Sequence, residues 1–135
     1  MIRKEAFEID GRQVEIQQFG AVQGWKLLRK ITSVVGPAIG KGSVDYGAAI
    51  DLLFLRLSEA DLISLLKKLT QYVWVNDQPL NFETDMAVGN FSVRVLTEVL
   101  KLNYEEFFFT IQGAVKDLLA EMAEQTATRE SQLEE

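Results

Sequence analysis

The sequence predicts a mainly α fold of the α+β class, an N-terminal β-hairpin packed on a bundle of about four to five helices. Three observations predict it. Residues 5–17, "EAFEIDGRQVEIQ", alternate apolar and polar on each side of Asp10-Gly11, which is the period of a half-buried strand. Most later stretches instead repeat their apolar residues every three or four positions, the period of a helix with one buried face. Finally, 47% of the 135 residues are hydrophobic, which is ample for one core in a chain short for two domains.

The hairpin follows from its turn. Asp-Gly suits a two-residue connection whose central residues both need positive φ. That register pairs Ile9 with Arg12, Phe7 with Val14 and Glu5 with Ile16. Phe7, Ile9, Val14 and Ile16 then share one face, while Glu8, Gln13 and Glu15 face water. A lone hairpin is marginal, so its apolar face needs a cover. The helix beginning near Ala21 is expected to supply it through Val22, Trp25, Leu28, Ile31 and Val35. Its other side carries Lys26, Arg29 and Lys30, either a solvated face or a surface for an acidic partner. Gly36-Pro37 is expected to stop this helix.

The stretch Val34–Ser43, "VVGPAIGKGS", has the composition of a phosphate-cradling loop but not its spacing. Such a loop encloses four residues between its glycines and sets Lys directly before Ser or Thr. Here Gly36 and Gly40 enclose three, and Gly42 separates Lys41 from Ser43. The residues before Gly36 also read as a helix ending, whereas a phosphate loop follows a strand and opens a helix. A helix stop and a glycine-rich link account for the pattern.

Residues 44–57 include "AAIDLLFLRL", apolar on nearly all sides, and read as a buried central helix ended by Ser58. Ser58 with Asp61 resembles a capping box and starts a helix reaching about Thr70. Within it, Ser64 and Lys67 have the S-x-x-K spacing of a lysine-activated serine nucleophile, but the S-D-N and K-T-G elements that accompany it are missing. Tyr72–Val75 suggest a short extended segment followed by a turn at Asn76–Leu80. After the irregular stretch "NFETDMAVGN", residues 91–102 read as a helix weakened by β-branched Val93, Val95 and Val99. Asn103 with Glu106 offers a fresh N-cap for a further long helix. Tyr104, Phe108, Ile111, Val115, Leu118 and Met122 then form a seam with spacings of 4, 3, 4, 3 and 4, and core within the same chain is its expected cover. Phe109 falls off that stripe. Beyond Glu124 the polar run "QTATRESQLEE" is expected to be a frayed or disordered acidic tail. The resulting division is one domain over 1–123 and a tail over 124–135.

Composition narrows the function. The net charge is −6, and residues 117–135 alone carry six acids against Arg129, so most of the excess sits at this end. An acidic end repels phosphate backbones and anionic lipid, which argues against nucleic acid and membranes as partners. Cysteine and histidine are both absent. Ser-His and Cys-His nucleophiles, thiolate or imidazole metal sites and the commonest general base near neutral pH are therefore excluded. Glu105 and Glu106 are helix neighbours about 100° apart and do not flank one substrate bond. No catalytic residue, cofactor site, metal site or small-molecule substrate is expected. With no apolar leader or membrane-length run, the cytoplasm is the simplest location.

Taken in order, the hairpin "FEIDGRQVEI", the helix "GWKLLRKITSVVGPAIG", a leucine-rich helix pair, the "NDQPLNF" turn and "EVLKLNYEEFF" resemble the tail assembly chaperones of tailed bacteriophages and prophages, over residues 5–119. The resemblance implies a non-enzymatic role in building the tail in the bacterial host cytoplasm. It implies a chaperone that binds the tape measure protein, keeps it soluble and helps recruit tail tube subunits, and that is missing from the finished virion. Some such proteins also exist in a longer, frameshifted form. The alternatives are a structural completion or connector protein of the tail and a generic helical interaction module. Self-association stays open. Client contact is expected along the 104–122 helix or the Trp25 helix, with Trp25, Lys26, Arg29, Lys30, Phe108, Phe109 and Met122 as the contacting residues.

Overall fold

A computed structural model describes the backbone of residues 2–39 and 45–133, and their side chains except at 37–39, 107–116 and 127–133. Four strands and five helices occur among the described residues: β1 (Lys4–Ile9), β2 (Arg12–Gln17), α1 (Ala21–Ile39), α2 (Tyr46–Arg56), α3 (Glu59–Leu69), β3 (Val73–Val75), β4 (Gln78–Pro79), α4 (Phe82–Asp85) and α5 (Gly89–Leu133). The class is the expected one, mainly α with an N-terminal hairpin. The chain divides into two compact units, 1–105 and 106–135. The first holds the sheet, α1 to α4 and the opening turns of α5. The second is helical through Leu133, so the backbone is helical where a tail was expected to begin.

The hairpin has the expected register, with Glu5 opposite Ile16, Phe7 opposite Val14 and Ile9 opposite Arg12. Asp10 at φ 51° and Gly11 at φ 79° supply the two left-handed positions of its turn. The sheet has two strands beyond the hairpin: the extended segment expected at Tyr72–Val75 is β3, and the turn after it leads into β4. Asn76 and Asp77, also at positive φ, fold β4 back on β3, and β3 pairs antiparallel with β2 through Val14–Val75 and Ile16–Val73. The order is β1-β2-β3-β4. Its inner face, Ile9, Val14, Ile16, Val73 and Val75, is buried, as the alternation requires.

The helices complete the core of this unit with Leu27, Leu28, Ile31 and Val35 of α1, Ala49, Ile50 and Leu53 of α2, Leu65, Leu66 and Leu69 of α3, and Phe91, Val95, Leu96, Val99 and Leu100 of α5. Two ties fasten the sheet end of the unit to α5. The Phe19 N–H donates to Asn103 Oδ1 at 2.9 Å, and the Arg12 guanidinium lies 4.8 Å from the centre of the Phe91 ring.

Four expectations are corrected. Gly36-Pro37 does not stop α1, which continues to Ile39; Pro37 has no N–H for the Ser33 carbonyl, but Arg56 Nη1 donates to the Val34 carbonyl at 3.0 Å and holds this last turn. The second helix is not buried all round: Phe54 and Leu55 are exposed, and only the Ala49-Ile50-Leu53 face is covered. Asn103 caps nothing. It lies inside α5, where its amide donates to the Val99 carbonyl while its oxygen takes the Phe19 N–H, so one helix replaces the two expected. The expected cover for the seam is also absent at its far end, where Leu118 and Met122 are exposed; among its described members, Tyr104 lies in the core. Ser58, by contrast, caps α3 as expected, accepting from the Asp61 N–H at 3.3 Å.

Candidate functional site

The sequence assigns Val22 and Trp25 to the buried face of α1, and the structure puts them in solvent at 65% and 70% exposure. The reason is a second stripe on the same helix. Gly24, Leu27, Leu28, Ile31, Val34 and Val35 also recur at helical spacing, and this stripe is centred on the small Gly24. Core partners approach there: Tyr104 Oη donates to the Gly24 carbonyl at 2.9 Å, and a Cβ added at Gly24 would lie 3.7 Å from Phe19 Cβ. Leu28, Ile31 and Val35 belong to both stripes, so what distinguishes them is Val22 and Trp25 against Gly24, Leu27 and Val34.

Turning α1 onto Gly24 presents Val22, Trp25 and Arg29 on one outward strip, with Lys26 and Lys30 beside it. Val22, Lys26 and Lys30 face α3 across an open groove of about 660 Å³, whereas Trp25 and Arg29 lie outside its lining. Val22, Gln23, Lys26, Leu27 and Lys30 form one wall, and Asp61, Ser64, Leu65, Lys68 and Gln71 form the other. The α3 residues are spaced 3, 1, 3 and 3, a single helix face carried past Leu69. Leu27 and Leu65 are buried and make an apolar floor; the lysines stand at the rim. Gln23 Nε2 donates to Gln71 Oε1 at 2.8 Å and bridges the walls at one end. Three ammonium groups face one carboxylate, so the groove is locally positive in a chain whose net charge is −6. An apolar floor with a cationic rim suits an amphipathic helix that carries acids beside its apolar row.

Of the expected contact residues, Trp25, Lys26, Arg29 and Lys30 therefore come together on α1, and Lys26 and Lys30 enter the groove. Met122 is exposed on the second unit, 54% accessible, alongside Leu118 and Leu119. The side chains of Phe108 and Phe109 lie outside the described residues. Missing from the sequence-level set are Leu27, Leu65, Lys68 and Gln71. The face at 61, 64, 65, 68 and 71 has a helical spacing, but nothing local shows which helix it opposes.

Ser64 and Lys67 separate. Ser64 lines the groove, whereas the Lys67 ammonium sits 5.7 Å from the centre of the Phe82 ring. Two tyrosines have altered acidity. Burial, then the negative charges of Glu105 and Glu98, pushes Tyr46 up to about 12. Burial alone raises Tyr104 further. Both phenols lie away from the groove walls. No group of carboxylates able to hold a metal ion occurs among the described residues. No helix among them is long and apolar enough to cross a membrane.

Residues 10–119 match the family described as phage tail assembly chaperone protein, TAC. No curated protein and no solved structure matches the chain. The matched span covers β2 to β4, α1 to α4, both walls of the groove and α5 as far as Leu119, which is most of the sequence. The chain belongs to the phage tail assembly chaperone family.

Proposed function

We propose that the protein binds the tape measure protein of its phage, keeps that client soluble in the host cytoplasm and helps recruit tail tube subunits to it, by binding alone and without bond chemistry. The observation that carries this reading is the α1–α3 groove with its leucine floor, exposed Val22 in its wall and exposed Trp25 beside it on α1. A tape measure protein is a long helical chain, and its apolar rows need cover until assembly. A groove that takes an amphipathic helix supplies such cover, and the lysine rim selects segments with acids beside the apolar row. Trp25, Lys26, Arg29 and Lys30 are the primary contacts; Met122 and the Phe108-Phe109 region of α5 form a second contact strip. The acidic stretch 124–135 keeps the complex dispersed through its charge.

Co-expression with the tape measure protein of the same phage tests the proposal. Client solubility should rise, and the two proteins should co-purify. A Trp25→Ala, Lys30→Glu double variant should fold normally, because both side chains are exposed, and recover several-fold less client. Unchanged client solubility with no co-purification would overturn the reading.

A further inference from the structure

We propose that the α1–α3 groove of one copy receives the acidic stretch of α5 from a second copy, giving a reciprocal homodimer held by Lys26, Lys30 and Lys68 against Asp117 and Glu121. Two surfaces of this chain carry the inference, and each lacks what the other offers. The groove has three lysines to one aspartate above a floor of Leu27 and Leu65. The α5 stretch 117–126 is exposed throughout and combines Asp117 and Glu121 with Leu118, Leu119 and Met122, whose exposures of 57%, 60% and 54% leave a leucine-rich row in water.

The spacings match. Lys26 and Lys30 stand four residues apart on α1, and Asp117 and Glu121 stand four apart on α5. Both rows advance by about 6 Å per step, so two ion pairs form in register when the helices lie side by side. Leu118 and Met122 follow their acids by one residue, about 100° around the helix, which turns them toward the floor while the acids meet the rim. The lengths match as well. The α3 wall from Asp61 to Gln71 and the exposed stretch 117–126 are each about 15 Å long at 1.5 Å per residue. Asp61, at the other end of the wall from Lys68, repels an acidic helix placed too far along and so fixes its position.

Because each copy owns one groove and one acidic helix, two reciprocal contacts close a twofold dimer. The dimer covers the groove floor and the Leu118-Met122 row together. It depends on no particular client, and a client helix of the same chemistry would compete for the groove.

Sedimentation equilibrium of the full chain tests the proposal. The wild type should be a dimer at low salt and dissociate as salt rises, because the contact is rimmed by exposed ion pairs. A Lys30→Glu, Lys68→Glu chain and an Asp117→Lys, Glu121→Lys chain should each dimerise at least about tenfold more weakly, like charges now facing one another. Mixing these two chains should restore the dimer, since both groove-helix pairs regain opposite charge. All four positions are exposed, and circular dichroism checks that the variants fold. Should one variant unfold, the salt dependence of the wild type and the behaviour of the other variant decide. A monomeric wild type at low salt, or a dimer indifferent to both charge reversals, overturns the proposal.

Discussion

Tyr104 shows how one side chain anchors the first unit. It lies almost fully buried at 3% exposure, and its hydroxyl donates to the Gly24 carbonyl of α1 across 80 residues of sequence. A buried phenol with a partner is tolerated, but its anion is not, which is why burial raises its pKa. In the unfolded chain Tyr104 ionises near its ordinary value of 10.0. Its contribution is therefore fully present below that pH and is lost as pH rises through the higher folded value, because the unfolded state releases its proton first. Tyr104→Phe should lose about 1 kcal/mol at neutral pH, the worth of one such hydrogen bond. The same variant should show a shallower loss of stability above pH 10 than the wild type, with Tyr46, raised to about 12, supplying part of the remaining slope. Denaturant melts at neutral and alkaline pH check both; equal alkaline slopes would contradict the role given to Tyr104.

At the scale of elements, α1 is where sequence and structure part most clearly. Two apolar stripes overlap on it, and the helical period alone does not rank them. The stripe with Trp25 is bulkier, but the stripe with Gly24 admits Tyr104 and Phe19 close to the backbone, and that packing places Trp25 outside. Gly24 is nonetheless not needed for space, since an added Cβ would meet Phe19 at an ordinary 3.7 Å. Gly24→Ala should therefore stabilise the protein by about 0.5–1 kcal/mol, the gain in helix propensity, as read from urea denaturation. A loss of 1 kcal/mol or more would show that α1 and Phe19 pack closer than described. Features set by neighbours in sequence were legible in advance: the Asp10-Gly11 turn with its register and the Ser58 cap. Features set by distant partners were not. The pairing of β3 with β2 joins residues about sixty apart, and Asn103, by type a natural cap, was claimed by the Phe19 N–H. The groove follows the same division: its α1 lysines were visible in the sequence, whereas the facing wall on α3 depended on how the core closed.

For the molecule as a whole, we propose that the α1–α3 groove grips a helical partner during tail assembly. Charge distribution supports the claim, since a chain with net charge −6 still gathers Lys26, Lys30 and Lys68 around a leucine floor. Exposed apolar side chains also occur on α2, at Phe54 and Leu55, so exposure alone does not single out the groove. Position-specific photo-crosslinking separates the two surfaces. A photoreactive residue would replace Ser64 in the groove, or Leu55 on α2, during co-expression with the tape measure protein. The Ser64 probe should crosslink to the tape measure protein and the Leu55 probe should not. Crosslinking from Leu55 alone, or from neither position in a complex that still co-purifies, would contradict the account.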